Sequence, residues 1–430
     1  MKELFSHSED TLPAESGRVL LVIIKPPELS HSQAELYLEE LKNLADTLGF
    51  TTADSMVVPV KKISPKYLVG SGKAVEIQHL AEAHEVECVV FDDTISPAQQ
   101  RNWEQLTDRC VIDRQEVILE IFSRRARTRE AILQVALARM EYSLPRLTRA
   151  WTHLSRQRGG TRGTRGEGET QLENDRRVVL KKITKLKREL AKLESQREVR
   201  RKQRMGVPLP TGAIVGYTNA GKSSLLNTLT DASVTVGNRL FATLDPSTKK
   251  MALPGGAEIL LTDTVGFIRK LPHDLVDAFH STLEEAVLAD FLVHVVDASN
   301  SEALHHIETT KEVLAELGVI DTPTLYVFNK IDLCKDTYHL ESLRKDYPEA
   351  LFISLKNGAG LENFSKAVEK LAFRGDKTSL FRLPLSRYDI AAFLHRGGSV
   401  ISERYDGSVV EIKAKVSKKI RGRLQEFLVE

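Results

Sequence analysis

Eight consecutive residues, Gly216-Tyr217-Thr218-Asn219-Ala220-Gly221-Lys222-Ser223, fit the pattern G-x-x-x-x-G-K-[ST]. This pattern works in one kind of place, a turn between a buried strand and the N-terminus of a helix. The flanks agree. Gly212-Ala213-Ile214-Val215 reads as the end of a buried strand, and Ser224-Leu225-Leu226-Asn227-Thr228-Leu229 continues as a helix with an apolar face. Glycines let the backbone N–H groups converge on phosphates at a helix N-terminus, where the helix dipole also favours negative charge. Lys222 is expected to neutralise the β and γ phosphates and Ser223 to ligate magnesium, with Tyr217, Thr218, Asn219, Ala220 and Ser224 completing the cradle. The motif predicts a nucleotide binder, and its downstream partners decide which nucleotide.

Those partners follow in order. Asp263-Thr264-Val265-Gly266 comes directly after an apolar strand pattern, Glu258 to Thr262, and supplies a magnesium-water ligand and a γ-phosphate-sensing glycine. Asn329-Lys330-Ile331-Asp332 follows a second strand pattern, Thr324 to Phe328. A carboxylate such as that of Asp332 can accept both the N1–H and N2–H of guanine. Adenine offers an acceptor at N1 and no amino group at C2, so this constellation selects GTP over ATP. Ser354-Leu355-Lys356, after Leu351-Phe352-Ile353, resembles the loop that supports the guanine carbonyl through backbone N–H groups. Between the P-loop and Asp263 lies Leu240-Phe241-Ala242-Thr243-Leu244-Asp245-Pro246. Phe241 and Thr243 are expected at the nucleotide, with Thr243 completing the magnesium sphere through its hydroxyl and reporting the γ phosphate through its N–H. Lys222, Thr243 and Gly266 are the expected catalytic residues. Ras-like proteins carry a water-orienting glutamine after the D-x-x-G glycine; here the residue is Phe267, which cannot hydrogen-bond water. Slow intrinsic hydrolysis assisted by a partner is therefore expected. Asn219 holds a position resembling that of asparagines that ligate a monovalent cation in potassium-stimulated GTPases, which adds potassium as a candidate beside magnesium.

With 430 residues the chain is too long for one core. Its charge is uneven. Arg146 to Met205 holds 19 basic and 7 acidic residues, whereas the remainder holds 42 and 52. A basic segment on an acidic body suits a polyanionic partner, although a charged run can also be a solvated helix face. Three cysteines, Cys88, Cys110 and Cys334, without C-x-x-C spacing argue against a structural zinc or a disulfide framework and point to a cytoplasmic compartment. The first ten residues lack the basic start and apolar core of a signal peptide. No apolar run reaches the roughly 18 residues a membrane span needs.

The pattern divides the chain into a disordered tail (1–17), an N-terminal α/β domain (18–123), a helical hairpin arm (124–205), a P-loop domain with a mostly parallel sheet (206–374) and a small α+β unit (375–430). In the N-terminal domain, strands are expected at Val19–Ile24, around Met56-Val57-Val58, at Cys88–Phe91 and at Cys110–Asp113, with helices at Gln33–Leu48, from Lys73 and from Pro97, and a parallel sheet. Gly70-Ser71-Gly72-Lys73 invites a second P-loop reading, but Tyr67 stands where the first glycine belongs and Ala74 where Ser or Thr should be. It reads as a strand-to-helix turn whose helix N-terminus leaves a second nucleotide site open. In the arm, Glu130–Leu144 and Leu172–Arg204 read as helices, the second with Val179, Ile183, Leu186, Leu190 and Leu193 in heptad spacing. They are expected to pair antiparallel around a loop from Arg158 to Glu169 that holds five glycines. Arg156, Arg158, Arg162 and Arg165 sit in or beside that loop. A flexible backbone bearing guanidinium groups suits RNA contacts that become ordered on binding, rather than a plain linker. Met205 to Pro210 reads as a linker. The last unit is expected to hold a helix near Tyr388–His395, two strands joined at Asp406-Gly407 and a basic helix from Val416 to Phe427.

Taken together, the sequence resembles the HflX family of ribosome-associated GTPases from about Arg18 onward. The stretch Gly159-Gly160, Arg162-Gly163, Arg165-Gly166-Glu167-Gly168-Glu169 and Gln171-Leu172-Glu173-Asn174-Asp175-Arg176-Arg177 carries most of the resemblance, with Phe241 to Pro246 as a second matching segment. The resemblance implies binding to the large ribosomal subunit, GTPase stimulation there, and dissociation of stalled or idle ribosomes, with the arm loop reaching toward the peptidyl-transferase region. It adds Arg176 and Arg177 to the expected RNA contacts. A cytoplasmic monomer cycling between GTP and GDP is expected, with peripheral membrane association left open. Two other readings stay open: a GTP-controlled assembly factor on immature rRNA, and an RNA-remodelling NTPase using the N-terminal domain.

Overall fold

Continuous apolar strands need cover on both faces, and the first sheet shows how this chain provides it. The computed structural model describes residues 17–147, 165–204, 209–230, 240–241, 243–270 and 280–429. These residues form two compact units, one ending at Leu193 and the other running from Glu194 onward. The expected tail lies almost wholly outside the described residues, as do residues 148–164, with Arg156, Arg158 and Arg162, and residues 205–208 of the expected linker. Among the described residues no helix is long and apolar enough to cross a membrane.

In the first unit, β1 (Arg18–Lys25), β2 (Thr51–Pro59), β3 (Cys88–Phe91) and β4 (Cys110–Asp113) make a parallel sheet in the order β2-β1-β3-β4. Around them lie α1 (His31–Leu48), α2 (Ser71–Ala83), α3 (Pro97–Thr107) and α4 (Arg114–Arg125). Capping boxes at Ser30/Gln33 and Ser96/Gln99 start α1 and α3. The core closes around Leu20, Val22, Val89, Phe91 and Trp103. The Gly70 turn differs from expectation: residues 60–69 separate it from β2, so it is a loop-to-helix turn. Gly70 caps α2 without a side chain, and Lys73 pairs with Glu76 at 2.6 Å. Helix α4, absent from the sequence reading, runs through the boundary expected at 123/124.

The arm contains α5 (Arg129–Ser143) and α6 (Arg165–Arg204). At 40 residues, α6 is about 60 Å long. It begins at Arg165, not Leu172, so the Arg165–Glu169 part of the expected loop is helical. Gly166 and Gly168 each cost about 1 kcal/mol there relative to alanine. The apolar stripes meet: Leu133 and Ala136 of α5 bury against Leu186 of α6, with Leu137, Met140, Leu190 and Leu193 half-buried around them. Lys187 pairs with Glu141 at 2.8 Å beside this seam.

In the second unit, β5 (Thr211–Val215), β7 (Glu258–Asp263), β8 (Phe291–Asp297), β9 (Thr324–Asn329) and β10 (Leu351–Phe352) are parallel, and β6 (Ser247–Ala252) closes one edge antiparallel. The order is β10-β9-β8-β5-β7-β6. Helices α7 (Lys222–Thr230), α8 (His280–Val287), α9 (Ala303–Glu316), α10 (Thr337–Asp346) and α11 (Leu361–Ala372) connect them. The last residues form a three-stranded antiparallel sheet, not two strands: β11 (Lys377–Pro384), β13 (Val409–Val416) and β12 (Ser399–Asp406), with α12 (Tyr388–Gly397) and α13 (Lys418–Arg423). Leu380 is only partly buried between the buried Ser379 and Phe381, which hides the alternation of β11 in the sequence. Val416 ends a strand, and Ser417 caps the helix that follows.

Candidate nucleotide-binding site

Parallel strands deliver their C-terminal residues to one sheet edge, the usual place for a ligand in an open α/β sheet. Here β5 ends in the P-loop, β7 in Asp263, β8 in Asp297 and β9 in Asn329, and Ser354 follows shortly after β10. Gly216 has φ +142°, and a Cβ there would lie 2.1 Å from Val295 O. Gly221 has φ +103°, and a Cβ there would lie 2.4 Å from Asn329 Nδ2. Only glycine fits either place. Asn219 stands exposed between them at φ +60°.

Lys222 is buried, and its Nζ donates to Gly216 O at 3.0 Å and Tyr217 O at 2.7 Å. Burial pulls its ammonium down to about 8, partly offset by the charge of Asp263. Ser223, at the start of α7, places Oγ 2.6 Å from Asp263 Oδ2 and 2.7 Å from Thr243 Oγ1. Thr243 Oγ1 donates to the same carboxylate oxygen at 2.8 Å. Burial pushes the Asp263 carboxyl up, against the lowering effects of Ser223, Lys222 and Thr243. Asp263 Oδ1 and Thr218 Oγ1 are buried without a hydrogen-bond partner among the described residues. Ser224 lies in the first turn of α7, its carbonyl accepting from Thr228. In β8 the buried His294 imidazole is held down to about 3 by burial and by the charges of Lys311 and Lys222, so it is neutral.

Residues 265–269 fold directly onto the P-loop. Thr218 N–H donates to Phe267 O at 2.7 Å, and Phe267 N–H donates to Gly216 O at 3.1 Å. A Cβ on Gly266 would lie 2.9 Å from Lys222 Nζ and from Thr218 Cα. The Phe267 side chain is buried at 1% exposure. Phe241, at φ +55°, is likewise buried at 2%.

At the other end, Asn329 ties two loops together: its Nδ2 donates to Ala220 O at 2.9 Å, and its Oδ1 accepts from Leu355 N–H at 3.2 Å. Ser354 Oγ donates to Asp332 Oδ1 at 2.6 Å. Ser354 N–H is spent on Ala359 O at 3.0 Å, so of the three loop residues Ser354 contributes its hydroxyl instead of the expected backbone donor. Lys330, at φ +64°, pairs with Asp297 at 2.7 Å. Sequence reasoning missed Asp297, although the run Phe291–Val296, apolar except for His294 and ending in an acid, marks a central strand. It also missed the face-to-face stack of Tyr217 on His306, with centroids 3.7 Å apart and planes at 6°, which joins positions far apart in the chain. Of the arginines expected on RNA, Arg156, Arg158 and Arg162 lie outside the described residues. Arg176 and Arg177 are exposed on α6, Arg177 lying 4.0 Å from Glu173.

A phosphate loop, a buried lysine, a hydroxyl–carboxylate cluster and an N-K-x-D element on a mostly parallel sheet define a P-loop GTPase. Family models agree along the chain: one described as the GTP-binding GTPase N-terminal region matches residues 35–123, the GTP-binding GTPase middle region matches 125–204, and a 50S ribosome-binding GTPase model matches 211–330. Curated relatives named GTPase HflX include one from Akkermansia muciniphila, 45% identical over 99% of this chain and 100% of its own length. One from Caldanaerobacter subterraneus is 41% identical over 98% and 96%, and one from Escherichia coli K12 is 44% identical over 77% and 78%. Among solved structures, a GTP-binding protein of Sulfolobus solfataricus in complex with GDP is 25% identical, covers 83% of this chain and 99% of that chain, and has a TM-score of 0.43. The chain belongs to the HflX family of GTPases and hydrolyses GTP.

Proposed function

We propose that this protein is a GTP-driven switch that binds the large ribosomal subunit and its rRNA and dissociates or rescues stalled or idle ribosomes. The observation that carries the reading is the meeting of Thr243, Ser223 and Asp263 within 2.8 Å, beside a Gly266 that packs on Lys222, in a chain that also bears a long basic arm. Magnesium fits this cluster: two hydroxyls and a carboxylate are hard oxygen donors, and a cation would relieve the buried Oδ1 of Asp263, which has no hydrogen-bond partner among the described residues. Ser223 and Thr243 would hold it, Asp263 acting directly or through a water, and the ion would screen charge on the phosphates. Asn219 is the candidate potassium contact. Lys222 draws the β and γ phosphates, while Thr243 and Gly266 report the γ phosphate through their N–H groups. Asp332, oriented by Ser354, reads the guanine edge, and Lys356 N–H would meet the guanine carbonyl. Phe267, buried as it is, orients no water, so hydrolysis is slow until the ribosome supplies or orders a catalytic group.

GTP and GDP states then differ in affinity for the target, and that difference does the regulation. Large subunits should cosediment with the protein in a non-hydrolysable GTP analogue and release it in GDP. Light scattering of intact ribosomes should fall with wild type and stay level with an arm-loop deletion. Equal binding in every nucleotide state would count against a switch, and capture of precursor particles over mature ones would favour an assembly role.

A pH dependence follows from Lys222. Burial pulls its ammonium down to about 8, whereas bound phosphates would hold the proton. Above pH 8 nucleotide binding must therefore take up a proton, and affinity should fall by up to about tenfold per pH unit. Calorimetric GDP titrations at pH 8.5, in buffers of different ionisation enthalpy, should show net uptake; no buffer dependence would refute the assignment.

A further inference from the structure

Phe267 leaves open how this enzyme sets the position of the segment that senses the γ phosphate. We propose that Tyr217 is a positioning residue for hydrolysis, whose hydroxyl latches residues 265–269 to the P-loop and whose ring is aimed by His306. The backbone of Tyr217 belongs to the phosphate cradle, where its carbonyl accepts from Lys222 Nζ at 2.7 Å. Its side chain does something separate. The Oη accepts the N–H of Arg269 at 2.7 Å, three residues beyond Gly266, and the ring lies flat on the His306 imidazole of α9 at 3.7 Å. Tyr217 and Arg269 are both buried, so water cannot replace that acceptor without opening the loop.

The latch adds a third tie to the two backbone bonds between Phe267 and the P-loop. Those two fix Phe267 alone. The Tyr217 bond fixes the chain two residues further on, and with both ends held Gly266 stays against Lys222 and Thr218. In an enzyme whose D-x-x-G segment carries no glutamine, the backbone position of Gly266 is what the γ phosphate meets, so a side chain that holds the segment acts on turnover. His306 contributes at one remove: a flat stack restricts the Tyr217 ring to the orientation that points Oη at Arg269.

This inference rests on reading residues 263–266 as the γ-phosphate sensor, and Gly266→Ala tests that separately, because its Cβ would meet Lys222 Nζ at 2.9 Å. Tyr217→Phe keeps the ring and removes the hydroxyl. The expected result is a kcat for GTP hydrolysis lowered at least about fivefold, with GDP affinity within about twofold of wild type. His306→Ala should lower kcat similarly, and His306→Phe, which can still stack, should restore it. Combining Tyr217→Phe with His306→Ala should add little. A Tyr217→Phe kcat within twofold of wild type, or an equal loss of GDP affinity, would overturn the latch. Normal hydrolysis by Gly266→Ala would instead overturn the sensor reading beneath it.

Discussion

Replacing Lys222 by alanine should lower GTP hydrolysis by about 10³-fold, the scale at which removal of a preorganised charge aimed at developing negative charge acts. Its burial means that no solvent cation can take its place, and its two bonds to Gly216 O and Tyr217 O hold the ammonium at the loop. The fold should survive the change. A lysine pulled from its usual value near 10.5 to about 8 binds its proton less well folded than unfolded. Between those two values the unfolded chain holds more protons, so stability rises with pH across that window, and at neutral pH burying the charge costs about 3 kcal/mol. Removing the ammonium lifts that cost and gives up the two carbonyl bonds. Lys222→Ala should thus melt close to wild type without nucleotide and show little of the stabilisation that GDP gives wild type. Hydrolysis above a tenth of the wild-type rate would refute the role.

The second large effect is a change of base. Asp332→Asn should weaken GTP binding by about 10²- to 10³-fold, since two charge-assisted hydrogen bonds to guanine are lost or turned repulsive. Xanthosine triphosphate, with a carbonyl in place of the C2 amino group, should bind the variant better than GTP does. Ser354→Ala should show a milder loss, of about tenfold, because it removes only the 2.6 Å bond that aims the carboxylate. Competition assays with GTP, ATP and xanthosine triphosphate measure all three. Unchanged preference for GTP in Asp332→Asn would show that another group reads the base.

The nucleotide elements were legible because each is a short motif at a strand end, and the strands before them are continuous apolar runs. The arm seam was legible from heptad spacing, since Leu186 and Leu190 must face a partner wherever the helix lies. Helix α4 and strand β11 were not. In α4 the apolar residues are packed among charged ones, and in β11 an apolar residue faces outward, so neither carries a clean period. Ser354 shows the limit at atomic scale: that its N–H bonds the Ala359 carbonyl while its hydroxyl bonds the Asp332 carboxylate is something no local pattern announces.

The residue order alone determined that this chain cradles a phosphate, prefers guanine and lacks a water-orienting glutamine, because those properties depend on residue type at fixed short spacing. Only the tertiary structure decided that the Phe267 side chain is buried, that Asn329 and Asp297 brace the loops, and that Tyr217 stacks on His306 while holding Arg269. Such contacts join residues dozens of positions apart, and their geometry arises from how strands and helices pack, which spacing along the chain does not encode.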